Sequence, residues 1–212
     1  TYGPPRNKAN EQFIAELQSL YDANYRGVIF VVDDNLIGNK SKIKSMLRVL
    51  IEWQKERRYP FRFLTQADIN LAVDDELLDL MVAANFYKVF LGLESPHLAS
   101  LERCDKDPNL KVDMSEAIKK IHRHGILVMG GFIVGIDGDP NNIFDQLLKF
   151  IRQNGVVISM IGLMIVIPGT RLYYRLKAEN RLLNASDGDN TNIQLNFVPK
   201  MEPKKLISGY KR

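Results

Sequence analysis

Polar side chains follow several apolar runs of this chain, each at the point where the run breaks off. They are Asp33, Asp34 and Asn35 after the first run, Thr65, Gln66 and Asp68 after the second, Glu94 and Ser95 after the third, and Asp137 after the fourth. Carboxylates in such places can bind a metal ion, or accept hydrogen bonds from an ammonium group or a ribose hydroxyl. Asp and Asn also cap turns by bonding to nearby backbone, so a structural role stays open for them.

The runs that precede these polar residues have the composition of buried parallel strands. They cover residues 28–32, 61–64, 89–93, 128–135 and 158–167. Each is nearly continuously apolar, and an amphipathic helical pattern follows it, which is typical of βα units. In such folds the carboxyl ends of the strands meet at one rim. We therefore expect the polar strand tips to be neighbours in space.

Helical periodicity predicts six helices between and around the strands. They cover residues 7–25, 40–57, 74–85, 113–124, 142–153 and 171–183, and residues 96–111 are expected to form a long polar loop. The order begins with a helix, although a parallel crossover needs a strand on both sides. We therefore expect a further strand and its loop upstream of Thr1, which would bring the count to about six βα units and predicts a partial barrel.

Composition narrows the class of protein. With 212 residues, 45% of them apolar and 25% charged, the chain is typical of a globular domain. No apolar run reaches the roughly 18 residues of a transmembrane segment. The formal net charge of +4 comes from cations scattered over helical faces, which does not favour a nucleic-acid partner. The single Cys104 rules out a disulfide framework and indicates a reducing, cytoplasmic compartment.

Glycines interrupt the fourth apolar run at Gly130, Gly131 and Gly135. Glycine inside a strand marks a bulge or a ligand lying against the backbone. The run does not match the dinucleotide-binding fingerprint, because its glycines lie within the strand and not after it. Neither a Cys/His metal motif nor a nucleophile elbow is present in the sequence.

The ordered set of strand tips resembles the radical S-adenosylmethionine (radical SAM) enzymes, specifically the group that carries a cobalamin-binding domain upstream. Residues 30–35, 91–95, 131–135 and 167–170 carry the resemblance, which covers about residues 1–183. It implies an α/β fold, a partial (β/α)6 barrel of the TIM type, here truncated so that the first strand and the cluster loop are missing. It also implies that residues 184–212 begin a truncated C-terminal accessory domain.

The same resemblance implies the cofactors and the reaction. Members bind a 4Fe–4S cluster through a CxxxCxxC motif just after the first strand, and the cluster cleaves S-adenosylmethionine to a 5′-deoxyadenosyl radical. An upstream domain would bind cobalamin, and methylation of an unactivated carbon of a small-molecule or lipid substrate is one reaction of the group. By this resemblance, S-adenosylmethionine would meet Asp33, Asp34 and Asn35 at its amino group, Thr65 and Gln66 from the next strand, Glu94 and Ser95 at its ribose, and Gly131, Ile133, Gly135, Ile167 and Pro168 around its adenine.

The chain departs from the family pattern in two places. Asp33, Asp34 and Asn35 stand where many members have Gly-Gly-Glu. Cys104 cannot supply three thiolates, so we expect the cysteine loop to lie upstream of Thr1 and this chain alone to hold no cluster and be inactive. Two other functions stay open: a binding or scaffold module without a cluster, and a Mg²⁺-dependent α/β enzyme that uses Asp33 and Asp34.

Overall fold

A computed structural model of the chain describes residues 8–103, 107–183, 193 and 195–211. Helices and strands alternate as predicted, except that three helices lie between the third and fourth strands. They are α1 (Asn10–Asp22), β1 (Gly27–Val31), α2 (Lys40–Glu56), β2 (Phe61–Ala67), α3 (Asp75–Ala83), β3 (Phe86–Glu94), α4 (Leu98–Glu102), α5 (Asp107–Lys111), α6 (Met114–Arg123), β4 (Leu127–Val134), α7 (Ile143–Gln153), β5 (Ile158–Leu163), α8 (Arg171–Ala178) and α9 (Pro203–Tyr210). No helix within the described ranges has the length and apolar character needed to cross a bilayer.

The five strands form one sheet in the order β1-β2-β3-β4-β5. β1 pairs in parallel with β2, and β2 pairs in parallel with β3. The register places Val31 opposite Thr65 and Thr65 opposite Val89. It shifts where Phe63 and Leu64 face Phe86 and Lys88, which leaves Tyr87 as an extra residue in β3.

The chain forms two compact units. The first unit is Thr1–Gly92 with Val112–Met129, and the second is Leu93–Lys111 with Gly130–Arg212. The domain boundary predicted at residue 183 stays a prediction, because residues 184–192 lie outside the described residues, as does Cys104.

In the first unit, helix α2 covers one face of the sheet with aromatic contacts. Trp53 stacks on Phe61 with ring centroids 5.6 Å apart, and Phe61 and Phe63 are fully buried. Gln54 is also buried, and its side-chain amide donates to the carbonyls of Phe61 (2.8 Å) and Ala84 (3.3 Å). Since side chains alternate along a strand, the residues between these phenylalanines lie on the opposite face of β2.

In the second unit, the C-terminal segment completes the core. The core cluster consists of Ile136, Met164, Val166, Leu176 and Phe197. The buried Asn196 side chain accepts from the Val166 N–H (3.0 Å) and donates to the Val166 carbonyl (2.8 Å). The Asn196 side chain therefore makes the two hydrogen bonds to the Val166 backbone that a neighbouring strand would make in a sheet.

Three charged residues join the loop after β4 to the end of α8, and we call them the Asp137 clamp. Arg181 donates to both carboxylate oxygens of Asp137, at 2.6 and 2.8 Å, and Arg175 lies 3.1 Å from the same carboxylate. The Asp137 side chain is only 2% exposed. Burial raises the pKa of Asp137, but the hydrogen bonds and charge of Arg181, helped by Arg175, outweigh it, so the net pKa is lowered.

Two strand ends differ from the predicted ones. Thr65 and Gln66 lie inside β2 and not after it, because pairing with the neighbouring strands continues to Ala67. β5 ends at Leu163. Ile167 therefore lies beyond the strand, since Asn196 takes the backbone groups of Val166.

The predicted loop at residues 96–111 was wrong, because it contains the short helices α4 and α5. Two residues of this polar segment, Ser100 and Leu101, are buried. The last predicted helix is also shorter than expected. It ends at Ala178, and Asn180 adopts a left-handed conformation with φ 53°, which turns the chain toward an antiparallel bridge between Leu182 and Phe197.

Replacing Gln54 by Leu is expected to lower the free energy of unfolding by about 2 kcal/mol, because the carbonyls of Phe61 and Ala84 lose their buried donor. Urea unfolding followed by circular dichroism measures this. The matched control is Gln153→Leu on α7, where the side chain is exposed. Equal midpoints for the two variants would contradict the role of Gln54.

Replacing Asp137 by Asn is expected to cost about 2 kcal/mol at pH 7, because Arg181 and Arg175 lose their carboxylate. The folded-state pKa lies below the ordinary value of 3.8, so this stabilisation is present above about pH 4 and is lost as the pH falls below it. Denaturant unfolding of both proteins from pH 7 to 3 should show the difference shrinking. A constant difference, or the same behaviour in the exposed Asp145→Asn, would refute it.

Candidate functional site

The tip of β1 uses two of its three polar residues to hold itself in place. Asp33 accepts a hydrogen bond from the Asn35 N–H at 2.9 Å. Asn35 donates its amide to the Asp68 carboxylate at 2.7 Å and accepts from the Asp68 N–H at 3.1 Å, which ties the β1 and β2 tips together. Asp34 is exposed and makes no hydrogen bond to any residue that the structure describes. Asp34 is therefore the carboxylate of this tip that is available to a ligand.

Thr65 and Gln66 lie on opposite faces of β2. Thr65 is fully buried and donates its hydroxyl to the Val31 carbonyl at 3.0 Å, which links β2 to β1. Gln66 is half-buried on the other face, which it shares with its register partner Phe90. Gln66 therefore lies on the face that points away from α2, whereas Thr65 supports the sheet.

Glu94 ends β3 in a strained backbone conformation. Its φ is +62°, a region that non-glycine residues rarely adopt, and its side chain is buried with 9% exposure. The Ser95 N–H donates to the Leu93 carbonyl at 2.8 Å, which closes a tight turn around Glu94. The same carbonyl accepts from the Asn109 side chain at 3.0 Å. Strain of this kind concentrates at functional sites.

The glycine-rich strand β4 leads into a close contact with the C-terminal helix. Gly131 and Ile133 are half-buried, and Ile133 packs against the core cluster of the second unit. Gly135 has φ +94°, and a Cβ there would lie 2.9 Å from Leu206 of α9, so this position requires glycine. Ile167 and Pro168, which follow the next strand, were also predicted to lie near the adenine. Ile167 is 62% exposed, and Pro168 is exposed as well.

A buried carboxylate that the sequence analysis missed joins the loops after β3 and β4. Asp139 accepts from the N–H groups of Gly135 (2.7 Å) and Ile136 (3.0 Å) and from the Ser100 hydroxyl (2.5 Å). Burial raises the pKa of Asp139, and these hydrogen bonds offset part of the rise. The available signal was an aspartate between a glycine and a proline directly after a glycine-rich strand.

Each unit therefore holds its own group of predicted site residues. In the first unit, hydrogen bonds join the β1 tip to Asp68 and join Thr65 to Val31. In the second unit, Asp139 links the loop that follows Glu94 and Ser95 to Gly135. Among the described residues, no three His, Cys, Asp or Glu side chains are placed to hold a metal ion. With one cysteine in the sequence, the residues of this chain do not fit a 4Fe–4S cluster.

Known proteins resemble nearly the whole chain. An uncharacterized methyltransferase of Synechocystis sp. is 40% identical over 97% of this chain and 39% of its own length. The hopanoid C-2 methylase of Rhodopseudomonas palustris is 35% identical over 92% of this chain and 36% of its own length. The chain thus spans about two fifths of the length of these curated relatives. A family described as a domain of unknown function (DUF4070) matches residues 170–212.

A solved structure shows the same fold. The radical S-adenosylmethionine methyltransferase TsrM from Kitasatospora setae, with cobalamin and a [4Fe-4S] cluster bound, superposes with a TM-score of 0.71. The match covers 96% of this chain and 41% of that one at 14% identity. The predicted α/β fold of the radical SAM type is confirmed. The chain therefore has the fold of the radical S-adenosylmethionine methyltransferase TsrM and is related in sequence to curated methyltransferases over nearly its whole length.

Proposed function

We propose that this chain is the S-adenosylmethionine-binding barrel portion of a radical SAM methyltransferase that is longer than the chain itself. The names of its relatives support methyl transfer, and the lengths of those relatives support a longer protein. In this proposal the cluster cysteines, a cobalamin-binding domain and the missing first strand lie outside residues 1–212. Methylation of an unactivated carbon is the reaction we assign to the whole protein.

The observation that carries this proposal is the conformation of Glu94. A buried carboxylate in a left-handed conformation at the carboxyl end of a parallel strand costs about 1–3 kcal/mol of backbone strain. Packing alone would be satisfied by glycine at this φ, which adopts it without strain. A carboxylate can accept hydrogen bonds from the two hydroxyls of a ribose, and this is the role that we assign to Glu94.

The other site residues divide into ligand-facing and supporting groups. We assign Asp34 to the methionine ammonium group, Gln66 to the polar wall of the pocket, and Ser95 to the ribose beside Glu94. Gly131, Ile133, Gly135, Ile167 and Pro168 are assigned to the adenine side. Asp33, Asn35 and Thr65 hold the tips in position through the hydrogen bonds described above. S-adenosylmethionine, when bound, would supply the radical and the methyl group.

The magnesium alternative has less support. Asp33 already accepts a backbone hydrogen bond, which leaves Asp34 as the exposed carboxylate of this tip. A Mg²⁺ ion in proteins usually takes one or two carboxylates and keeps several waters, so titration with Mg²⁺ alone tests this function directly.

Replacing Glu94 by Gln or Asp34 by Asn is expected to weaken S-adenosylmethionine binding to this chain about tenfold, because each change removes one charge-assisted hydrogen bond. Isothermal titration calorimetry measures the affinity. The matched control for Glu94 is the exposed Glu102→Gln on α4.

The variant Asn35→Leu tests a residue that we assign to support of the strand tips and not to ligand contact. It is expected to lower the free energy of unfolding by about 1 kcal/mol, since Asp68 loses both of its Asn35 hydrogen bonds. Unchanged affinity in both Asp34→Asn and Glu94→Gln would overturn the ligand assignments.

The full-length native protein, reconstituted anaerobically with iron and sulfide, is expected to convert S-adenosylmethionine to 5′-deoxyadenosine, which liquid chromatography detects. The control is the same protein with the cysteines of its CxxxCxxC motif changed to alanine. A native sequence that lacks this motif upstream of Thr1 would contradict the proposal. It would support the other function, a binding module without a cluster.

A further inference from the structure

Two cations surround a tyrosine at the amino end of the sheet face that points away from α2. The Arg62 guanidinium lies over the Tyr87 ring, 4.0 Å from its centroid, and the Lys88 ammonium lies 5.1 Å from the same centroid. Tyr87 is the extra residue at the register shift of β3, and both cations lie within 5.1 Å of its ring centroid. Neither cation forms a salt bridge with a carboxylate in the described part of the chain.

The same face of the first unit continues as an apolar surface, which we call the open face. Val28 lies opposite Arg62, and Phe30 lies opposite Leu64 in the parallel register of β1 and β2. Val28 is 42% exposed and Phe30 is 49% exposed, although both lie on a strand of the central sheet. Phe90 extends this surface beside Gln66. Apolar side chains exposed together in this way mark a binding surface.

The dimensions of the open face limit what it can bind. Arg62 and Gln66 are four residues apart on β2, which corresponds to about 13 Å at roughly 3.3 Å per residue. Arg62 and Lys88 lie near the amino ends of β2 and β3, whereas Gln66 lies near the carboxyl end of β2, beside the strand tips. A molecule that follows the open face would place its charged end far from the predicted cofactor-binding tips.

We propose that the open face binds the substrate, and that the substrate is an elongated apolar molecule with a carboxylate at one end. The assignment to methyl transfer rests on the proposed function, whereas the binding itself needs no S-adenosylmethionine. Arg62 and Lys88 meet the carboxylate, because guanidinium groups bind carboxylates through paired hydrogen bonds and Tyr87 orients Arg62 by a cation–π contact. Val28, Phe30 and Leu64 contact the apolar body.

The test is calorimetric titration of the full chain with decanoate and, separately, with 1-decanol, an uncharged molecule of similar length. Decanoate should bind more tightly than 1-decanol. The double variant Arg62→Gln with Lys88→Gln should bind decanoate about tenfold more weakly and bind 1-decanol as before. The control is Arg26→Gln, whose guanidinium also stacks on a tyrosine, Tyr21 at 3.6 Å, and this variant should bind both molecules normally.

Three results would overturn the proposal. The first is equal affinity for decanoate and 1-decanol, and the second is an equal loss of decanoate binding in Arg26→Gln. The third is a dimer in sedimentation analysis that Phe30→Asp dissociates, which would show that the open face binds a second copy of the chain. Because the titration contains no S-adenosylmethionine, failure of cofactor binding and failure of this proposal are separate outcomes.

Discussion

Parallel hydrogen bonding between β1, β2 and β3 determines where the candidate site residues of the first unit lie. The register places Val31, Thr65 and Val89 side by side, so the polar residues that follow these strands emerge at one edge of the sheet. The same pairing fixes which side chains face α2 and which face away from it. Phe61 and Phe63 are buried on one face, and Arg62 and Leu64 are left on the other.

The strand tips are held by side chains that replace missing backbone partners. Asn35 with Asp68, Asp139 with Gly135, and Asn196 with Val166 each satisfy backbone or polar groups where the sheet ladder stops. A buried polar group without a partner costs about 1–3 kcal/mol, so these contacts are needed for the loops to keep one conformation. Precise loops are in turn what a large cofactor with few contacts per loop requires.

The proposed functions depend on both faces of this arrangement. In the proposed function, the carboxylates of Asp34 and Glu94 meet ammonium and hydroxyl groups of the cofactor. The open face offers apolar side chains that end in Arg62 and Lys88. A cofactor at the tips and a substrate along the open face would share one strand end, near Gln66.

Local patterns in the sequence were enough to predict the βα units, the parallel pairing of β1, β2 and β3 and the candidate tips, because periodicity and turn residues are local properties. Asp74 and Asp113 illustrate this, since each caps the helix whose start the sequence predicted. Which tip residues bond to other parts of the chain became visible in the folded molecule, because their partners are distant in sequence. Thr65 and Asn35 are engaged by Val31 and Asp68, and the helices within residues 96–111 depend on packing that composition does not reveal. The left-handed Glu94, the Asp137 clamp and the cations around Tyr87 likewise come from long-range packing and register, which no single stretch of sequence contains.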